Sequence, residues 1–249
     1  LERSRHPVDL GADIFCDSAH KTLPVLTGGA YMHISKNAPE SFGKNARQAL
    51  ALFGSTSPSY LTMASLDMCN AYLAGDYRRE LADTVERIME LKTELKIRGW
   101  GVEPSDPLRL VIAAPEGSSG LELAEKLRKM GMECEHADRE FMVLMFTPDN
   151  DVTELKQLKD TLGEAPALPT KMRPLPLAKG ERALSIRQAI LAPQEPVSVS
   201  EALGRICGTP TVSCPPAVPI AVSGEKISRE AVELFEHYGM ETVEVVKEK

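Results

Sequence analysis

A mixed α/β fold is predicted for this chain by three features of its sequence. Between residues 108 and 162, strand-like and helix-like segments alternate twice. Apolar residues recur at helical spacing from Tyr60 to Arg98, and a proline-bearing stretch after Gly163 sets off a last group of helix and strand signals. Such alternation packs helices on a sheet rather than building a bundle or a sandwich.

In chain order, residues 11–16 read as a short buried strand and residues 29–34 as a second strand with alternating faces. The intervening 22–29 segment carries the Pro24, Gly28 and Gly29 signals of a loop. Residues 45–53 read as a short helix. Pro58 is expected in the first turn of the next helix, with Ser55, Thr56 and Ser57 as cap candidates. Leu61, Ala64, Leu66, Met68, Ala71 and Leu73 then share a helical face, as do Leu81, Val85, Ile88, Leu91 and Leu95. Gly75-Asp76 divides the two helices. Residues 108–113 form a strand, 121–130 an amphipathic helix, 141–146 a strand and 152–162 a helix. Pro166, Pro169, Pro174 and Pro176 make residues 163–177 an extended linker. Beyond it lie a helix-like stretch at 200–207, an apolar strand at 218–222, a capped helix at 228–237 and a closing strand at 242–246.

Of the 249 residues 43% are hydrophobic and 26% charged, the balance of a globular protein rather than a disordered one. The formal charge of −7 provides no basic field for a nucleic-acid backbone or an anionic membrane. Cys16, Cys69, Cys134, Cys207 and Cys214 are odd in number and form no Cys-x-x-Cys pair, so neither a disulfide framework nor a metal site is indicated. Free thiols fit a cytoplasmic protein. No apolar run has the length of a membrane span. The start, from Leu1 to Pro7, has neither the apolar stretch of a signal peptide nor an initiator Met, and the expectation is a chain that begins inside something larger.

The chemistry concentrates around Ser18-Ala19-His20-Lys21. An amine, a hydroxyl and an imidazole in one short loop suit a phosphorylated aldehyde, because the amine can form a Schiff base while the other two hold the phosphate. Alone, so short a string reads as a solvated lysine beside a hydrogen-bonded loop histidine. The wider context runs Gly11-Ala12-Asp13-Ile14-Phe15-Cys16-Asp17-Ser18-Ala19-His20-Lys21-Thr22-Leu23-Pro24, then Leu26-Thr27-Gly28-Gly29-Ala30-Tyr31. It resembles the lysine segment of the ornithine/lysine/arginine decarboxylases, enzymes of pyridoxal-phosphate fold type I. Ser55-Thr56-Ser57-Pro58-Ser59-Tyr60 with Met63-Ala64-Ser65-Leu66-Asp67 is a second match. Cys214-Pro215-Pro216-Ala217-Val218-Pro219-Ile220 with Gly224-Glu225-Lys226-Ile227 is a third and looser one.

The resemblance implies a role for each matching position. Lys21 would carry pyridoxal 5'-phosphate as a Schiff base and later return a proton to the substrate carbon. Ser18 and His20 would bind the cofactor phosphate. Thr56 and Ser57 would line the site from a neighbouring subunit. Glu225 would face the distal cation of a basic amino acid, a carboxylate being the natural partner of an ammonium or guanidinium. Without the resemblance, Ser55, Thr56 and Ser57 read as helix caps and Glu225 as a solvated turn residue. Asp17 lies too close to Lys21 to serve the pyridinium nitrogen. Two positions depart from the family: Pro215-Pro216-Ala217 has Ala where Gly is usual, and Val222-Ser223-Gly224 lacks the usual preceding proline. The family's ring-stacking His, pyridinium Asp and phosphate loop have no counterpart ahead of Lys21.

The fold this implies is the carboxy-terminal part of a fold type I enzyme. It comprises a remnant of the cofactor-binding large domain (1–75), a small α/β domain (76–165), a linker (166–180) and an α+β carboxy-terminal domain (181–249). The function implied is decarboxylation of arginine, lysine or ornithine to CO2 and a polyamine precursor, by a chain incomplete on its own. It would work in a homodimer or higher oligomer, or with a separate amino-terminal chain. The alternatives are a non-catalytic assembly subunit, half of a split enzyme, or a related aminotransferase.

Overall fold

The computed structural model describes residues 6–169, 178–210 and 218–248. Residues 170–177 of the expected linker, and the Cys214-Pro215-Pro216-Ala217 part of the third motif, lie outside the described residues. The chain divides into two compact units, one of Leu1–Val111 with Leu144–Ala165 and one of Ile112–Val143 with Pro166–Lys249.

In the first unit, β1 (Ile14–Asp17) and β2 (Tyr31–Ile34) pair antiparallel with Asp17 opposite Tyr31 and Phe15 opposite His33. The strand expected from residue 11 starts later, because residues 10–12 turn back onto the carbonyls of His6, Pro7 and Val8, with Gly11 at φ +102°. Helix α1 (Glu40–Phe53) begins well before the predicted residue 45, after Pro39, with Glu40 in its first turn paired to Lys44. None of its residues is buried. Helix α2 (Tyr60–Ala74) is capped by Ser59, whose hydroxyl accepts from the Thr62 N–H. The cap is therefore not Ser55, Thr56 or Ser57, and Pro58 stands outside the helix.

Helix α3 (Tyr77–Ile97) follows the predicted break at Gly75-Asp76 and buries Thr84, Val85, Ile88, Leu91 and Leu95 along one face. It ends in a Schellman motif: Gly99, at φ +86°, donates to Lys96, and Trp100 donates to the Leu95 carbonyl. The Trp100 ring is thereby turned into the core, where its indole N–H donates to the Gly163 carbonyl (3.0 Å). Helix α5 (Val152–Leu162), whose Asp151 and Glu154 form a capping box, buries Leu155, Leu158 and Leu162. Lys159 joins it to Glu94 of α3 at 2.7 Å.

The sheet of this region has the order β3 (Gly101–Glu103), β4 (Arg109–Ala113), β6 (Phe141–Met145), β5 (His136–Ala137). In the second unit, α4 (Gly120–Arg128) starts from a Ser119–Glu122 capping box and packs tightly on the Phe141 backbone, where a side chain at Gly120 would collide. Helix α6 (Ile186–Leu191) precedes β7 (Gln194–Ser198), which pairs antiparallel with β8 (Thr242–Val246). Helix α7 (Arg229–His237), capped by Ser228, lays Ala231 and Phe235 on a core that includes Val199, Ala202, Cys207, Ile227, Val243 and Val245.

Two expectations for the last part of the chain fail. Residues 200–207 are not a helix but a single 3-10 turn over Val199–Glu201, after which Gly204 takes φ +77°. Residues 218–222 are not a strand. Pro219 lacks an N–H to donate, and the partner of β8 is β7.

Leu95 is fully buried whereas Ile97, two residues on, is 81% exposed. Leu95→Ala should cost about 2–5 kcal/mol of unfolding free energy, and Ile97→Ala no more than about 0.5 kcal/mol, as read from urea titrations followed by Trp100 fluorescence.

Candidate functional site

The first unit carries the lysine on a single tight turn. β1 ends at Asp17, Ser18 leaves the strand, and a 3-10 turn over Ala19–Lys21 follows in which the Lys21 N–H donates to the Ser18 carbonyl (3.1 Å). Ala19 is the anchor: its methyl is buried with Val25 and Cys69, against Leu23, Tyr31, Leu66 and Leu73. With Ala19 facing inward, Ser18 and Lys21 are exposed and His20 is half-buried. His20 makes two bonds to one group. Its backbone N–H donates to the Gly29 carbonyl (3.3 Å), and its ring Nδ1 lies 3.0 Å from the same oxygen. A carbonyl only accepts, so Nδ1 carries the hydrogen.

The loop that returns to β2 has little freedom. Gly28 sits at φ +92°, and a side chain at Gly29 would collide with Val25. The Leu26 N–H donates to the Ser65 hydroxyl (3.1 Å), and the Tyr31 hydroxyl donates to the Leu66 carbonyl (2.7 Å), so the loop and β2 are both fastened to α2. Burial, then the neighbouring Cys69, pushes the Tyr31 phenol above its usual range. Beside the turn, Asp17 lies 3.0 Å from Nε2 of His33, and the His33 ring stacks on Phe15 at 4.5 Å with 10° between planes. Neither motif nor spacing in the sequence singles out His33 as the partner of Asp17. The signal available for it was cross-strand alternation, which sets Asp17 and His33 diagonally on one face of the β1–β2 pair.

Ser18, His20 and Lys21 thus share one turn. Thr56 and Ser57 are exposed in the α1–α2 connection, where the Ser57 N–H donates to the Ser55 hydroxyl. Among the described residues no hydrogen bond links them to the Lys21 turn. Glu225 belongs to the second unit. Gly224 precedes it at φ +92°, the Glu225 N–H donates to the Val222 carbonyl, and one carboxylate oxygen accepts from the Val222 N–H (3.0 Å). Its backbone also joins Cys207, whose N–H donates to the Glu225 carbonyl. Burial, aided by the Glu225 charge, pushes the Cys207 thiol up to about 11. Among the described residues no three His, Cys, Asp or Glu side chains are grouped to hold a metal, and no helix is long and apolar enough to cross a membrane.

The major domain of the Orn/Lys/Arg decarboxylases matches residues 7–114, which include the Lys21 turn and α1 to α3. An uncharacterised protein of Bacillus subtilis (strain 168), YaaO, is 30% identical over 240 residues, covering 90% of this chain and 50% of the relative. An arginine decarboxylase of the same organism is 26% identical over 247 residues, covering 89% and 49%. The fold matches about half of a lysine decarboxylase chain: the constitutive enzyme of E. coli superposes with a TM-score of 0.71 at 19% identity over 94% of this chain and 49% of its own. The Francisella novicida enzyme superposes at 0.73 and 16% over the same shares. The chain spans about half the length of the curated relatives it matches.

The thiols offer a check on these surroundings. Cys16 is exposed and Cys207 buried. At pH 8 a disulfide reagent should label Cys16 within minutes and Cys207 only on unfolding, as followed by peptide mass mapping. A raised thiol favours the protonated native state, so the stability it lends is complete below the ordinary thiol range and lost as pH rises through about 11.

Proposed function

We propose that this chain, which matches the major domain of the Orn/Lys/Arg decarboxylases over residues 7–114, supplies the lysine anchor of a pyridoxal-phosphate-dependent decarboxylase of arginine, lysine or ornithine. The observation that carries the reading is the turn that gathers a hydroxyl, an imidazole and an exposed amine within four residues. This donor set fits a phosphorylated aldehyde. Ser18 and His20 would hold the phosphate, Lys21 the aldehyde carbon, and Thr56 and Ser57 would add hydroxyl donors from a second subunit of a homodimer. When bound, the cofactor ring takes up the electron pair released as CO2 leaves.

The chain's own groups then have distinct tasks. Lys21 Nζ would be the amine that holds the cofactor aldehyde, and it would deliver a proton to the substrate Cα. The packing of Ala19 and the two His20 bonds fix the backbone of the turn from which the exposed Lys21 projects. Glu225, by the family resemblance, would offer a carboxylate oxygen to a distal ammonium or guanidinium, its other oxygen being engaged by the Val222 N–H. The products would be CO2 and a diamine or agmatine, precursors of polyamines, formed in the cytoplasm.

A second reading, a non-catalytic assembly subunit, is favoured by α1. It exposes Phe42, Leu50, Leu52 and Phe53, the last 92% exposed, and buries no residue. Light scattering separates the readings when combined with the assay below, since an assembly subunit forms a stable complex but releases no CO2.

Incubation of the protein with pyridoxal phosphate followed by borohydride should attach a pyridoxyl group to the Lys21 peptide. Lys21→Ala should abolish that adduct and, in the complete enzyme that contains this chain, reduce CO2 release from carboxyl-labelled arginine, lysine or ornithine by at least about 1,000-fold. Labelling spread over other lysines and unchanged in Lys21→Ala would overturn the reading, and keto-acid formation in place of CO2 would reassign the protein to the aminotransferases.

A further inference from the structure

The hydrogen bond between His20 and Gly29 fixes more than the shape of the turn. Gly29 offers only a carbonyl oxygen, so the His20 ring must present its hydrogen from Nδ1. A neutral imidazole holds one N–H, and the other nitrogen is then a bare acceptor. Nε2 makes no hydrogen bond among the described residues, and the residue is half-buried with its neighbours Ser18 and Lys21 exposed. With Nδ1 committed to Gly29, a phosphate held by the His20 ring can be met only by Nε2, which in neutral His20 is a lone pair. A phosphate oxygen meeting that lone pair is repelled, whereas one meeting an Nε2–H receives a charge-assisted hydrogen bond.

The alternative tautomer does not escape the conflict. Moving the single hydrogen to Nε2 leaves Nδ1 unprotonated 3.0 Å from the Gly29 oxygen, two acceptors facing each other. The loop cannot relax that contact easily, because Gly29 is hemmed in by Val25 and its carbonyl also accepts the His20 backbone N–H. Only the imidazolium satisfies the carbonyl and a fully ionised phosphate, which has no proton to donate, together.

We infer that His20 binds phosphate as a cation, so that anion binding at the Ser18–Lys21 turn takes up a proton and weakens as pH rises. The inference rests on the reading that this turn holds the phosphate of pyridoxal phosphate. It adds a regulation to that site: cofactor loading is linked to pH through one imidazole, whose second nitrogen is committed to the scaffold. The other titratable groups around the turn are Asp17 on β1, Lys21 on the turn itself, Tyr31 and His33 on β2, and Asp67 and Cys69 on α2, of which Asp17, Asp67 and Cys69 all act on Tyr31. Two other imidazoles lie beside them: His33, which Asp17 engages at 3.0 Å, and His6, whose ring is edge-on to those of Phe15 and His33.

The test uses pyridoxamine 5'-phosphate, which carries the phosphate but no aldehyde to react with Lys21. Calorimetric titrations in two buffers of different ionisation enthalpy count the protons taken up, and repeating them across about pH 6 to 9 gives the slope. In His20→Asn the amide N–H replaces the Nδ1–H donation to Gly29 without a titrating group. The wild-type protein should take up about one proton more than this variant at the midpoint, and its affinity should fall up to about tenfold more per pH unit. Equal proton counts and parallel slopes overturn the proposal alone. Absence of binding at every pH overturns the cofactor reading and the proposal with it. His33→Gln and His6→Gln separate the imidazoles, because loss of the slope in either and its retention in His20→Asn would overturn the assignment to His20. Two-bond nitrogen–proton NMR of the unliganded wild-type protein gives a readout independent of any variant. An Nδ1–H tautomer is expected, and an Nε2–H tautomer would overturn the proposal.

Discussion

The Gly29 carbonyl receives both the backbone N–H and the ring Nδ1 of His20, and the arrangement of the first unit's polar groups depends on that convergence. One oxygen ties the turn after β1 to the residue that leads into β2, so the two strands and the loop between them close on each other. Gly29 can serve this purpose because it has no side chain, since any Cβ would strike Val25. Each bond is worth only about 1 kcal/mol net. Their importance lies in direction, because they orient a ring that a longer and looser loop would leave free to turn.

The apolar side of the same turn does the holding. Ala19, Val25 and Cys69 form a small cluster with Leu23, Tyr31, Leu66 and Leu73, and α2 contributes three of these seven. Tyr31 and Ser65 add polar fastenings to the same helix. A small cluster does not stabilise such a loop by area alone. The part-buried Tyr31 bond lies beside the cluster, where water competes poorly with it, while the Leu26–Ser65 bond is exposed. The larger cores in both units are of the ordinary kind, with Ile88, Leu95, Leu110 and Ile112 fully buried, and they give the chain its stability rather than its chemistry.

The parts of the fold that were legible from the sequence are those governed by local rules. Helix α3 follows the spacing of Val85, Ile88, Leu91 and Leu95, and α7 begins at a serine that caps it. Strand β7 was not anticipated because Gln194, Glu195 and Pro196 have poor strand propensity, and its existence depends on β8, some fifty residues away in sequence. The false strand at residues 218–222 shows the converse, an apolar run without a free edge to pair with. In the candidate site, Ser18, His20 and Lys21 were visible as a string. The contacts of His20 with Gly29 and of Asp17 with His33 required knowledge of which strands pair, which no spacing rule contains.

The acidic and the cationic candidates stand in opposite situations. Asp17 faces His33, and Glu225 closes its own turn through Val222, so each carboxylate is partly spent on the scaffold. Lys21 and Ser18 are exposed, and their backbone hydrogen bond leaves both side-chain ends available. A group meant to exchange a covalent partner gains nothing from a strong internal one, because each such contact would have to be broken before reaction. A group meant to orient its neighbours gains from being fixed. By that criterion the turn separates its labour: Ala19, Gly29, Asp17 and His33 hold position, Ser18 and Lys21 remain available, and His20 does both through its two nitrogens.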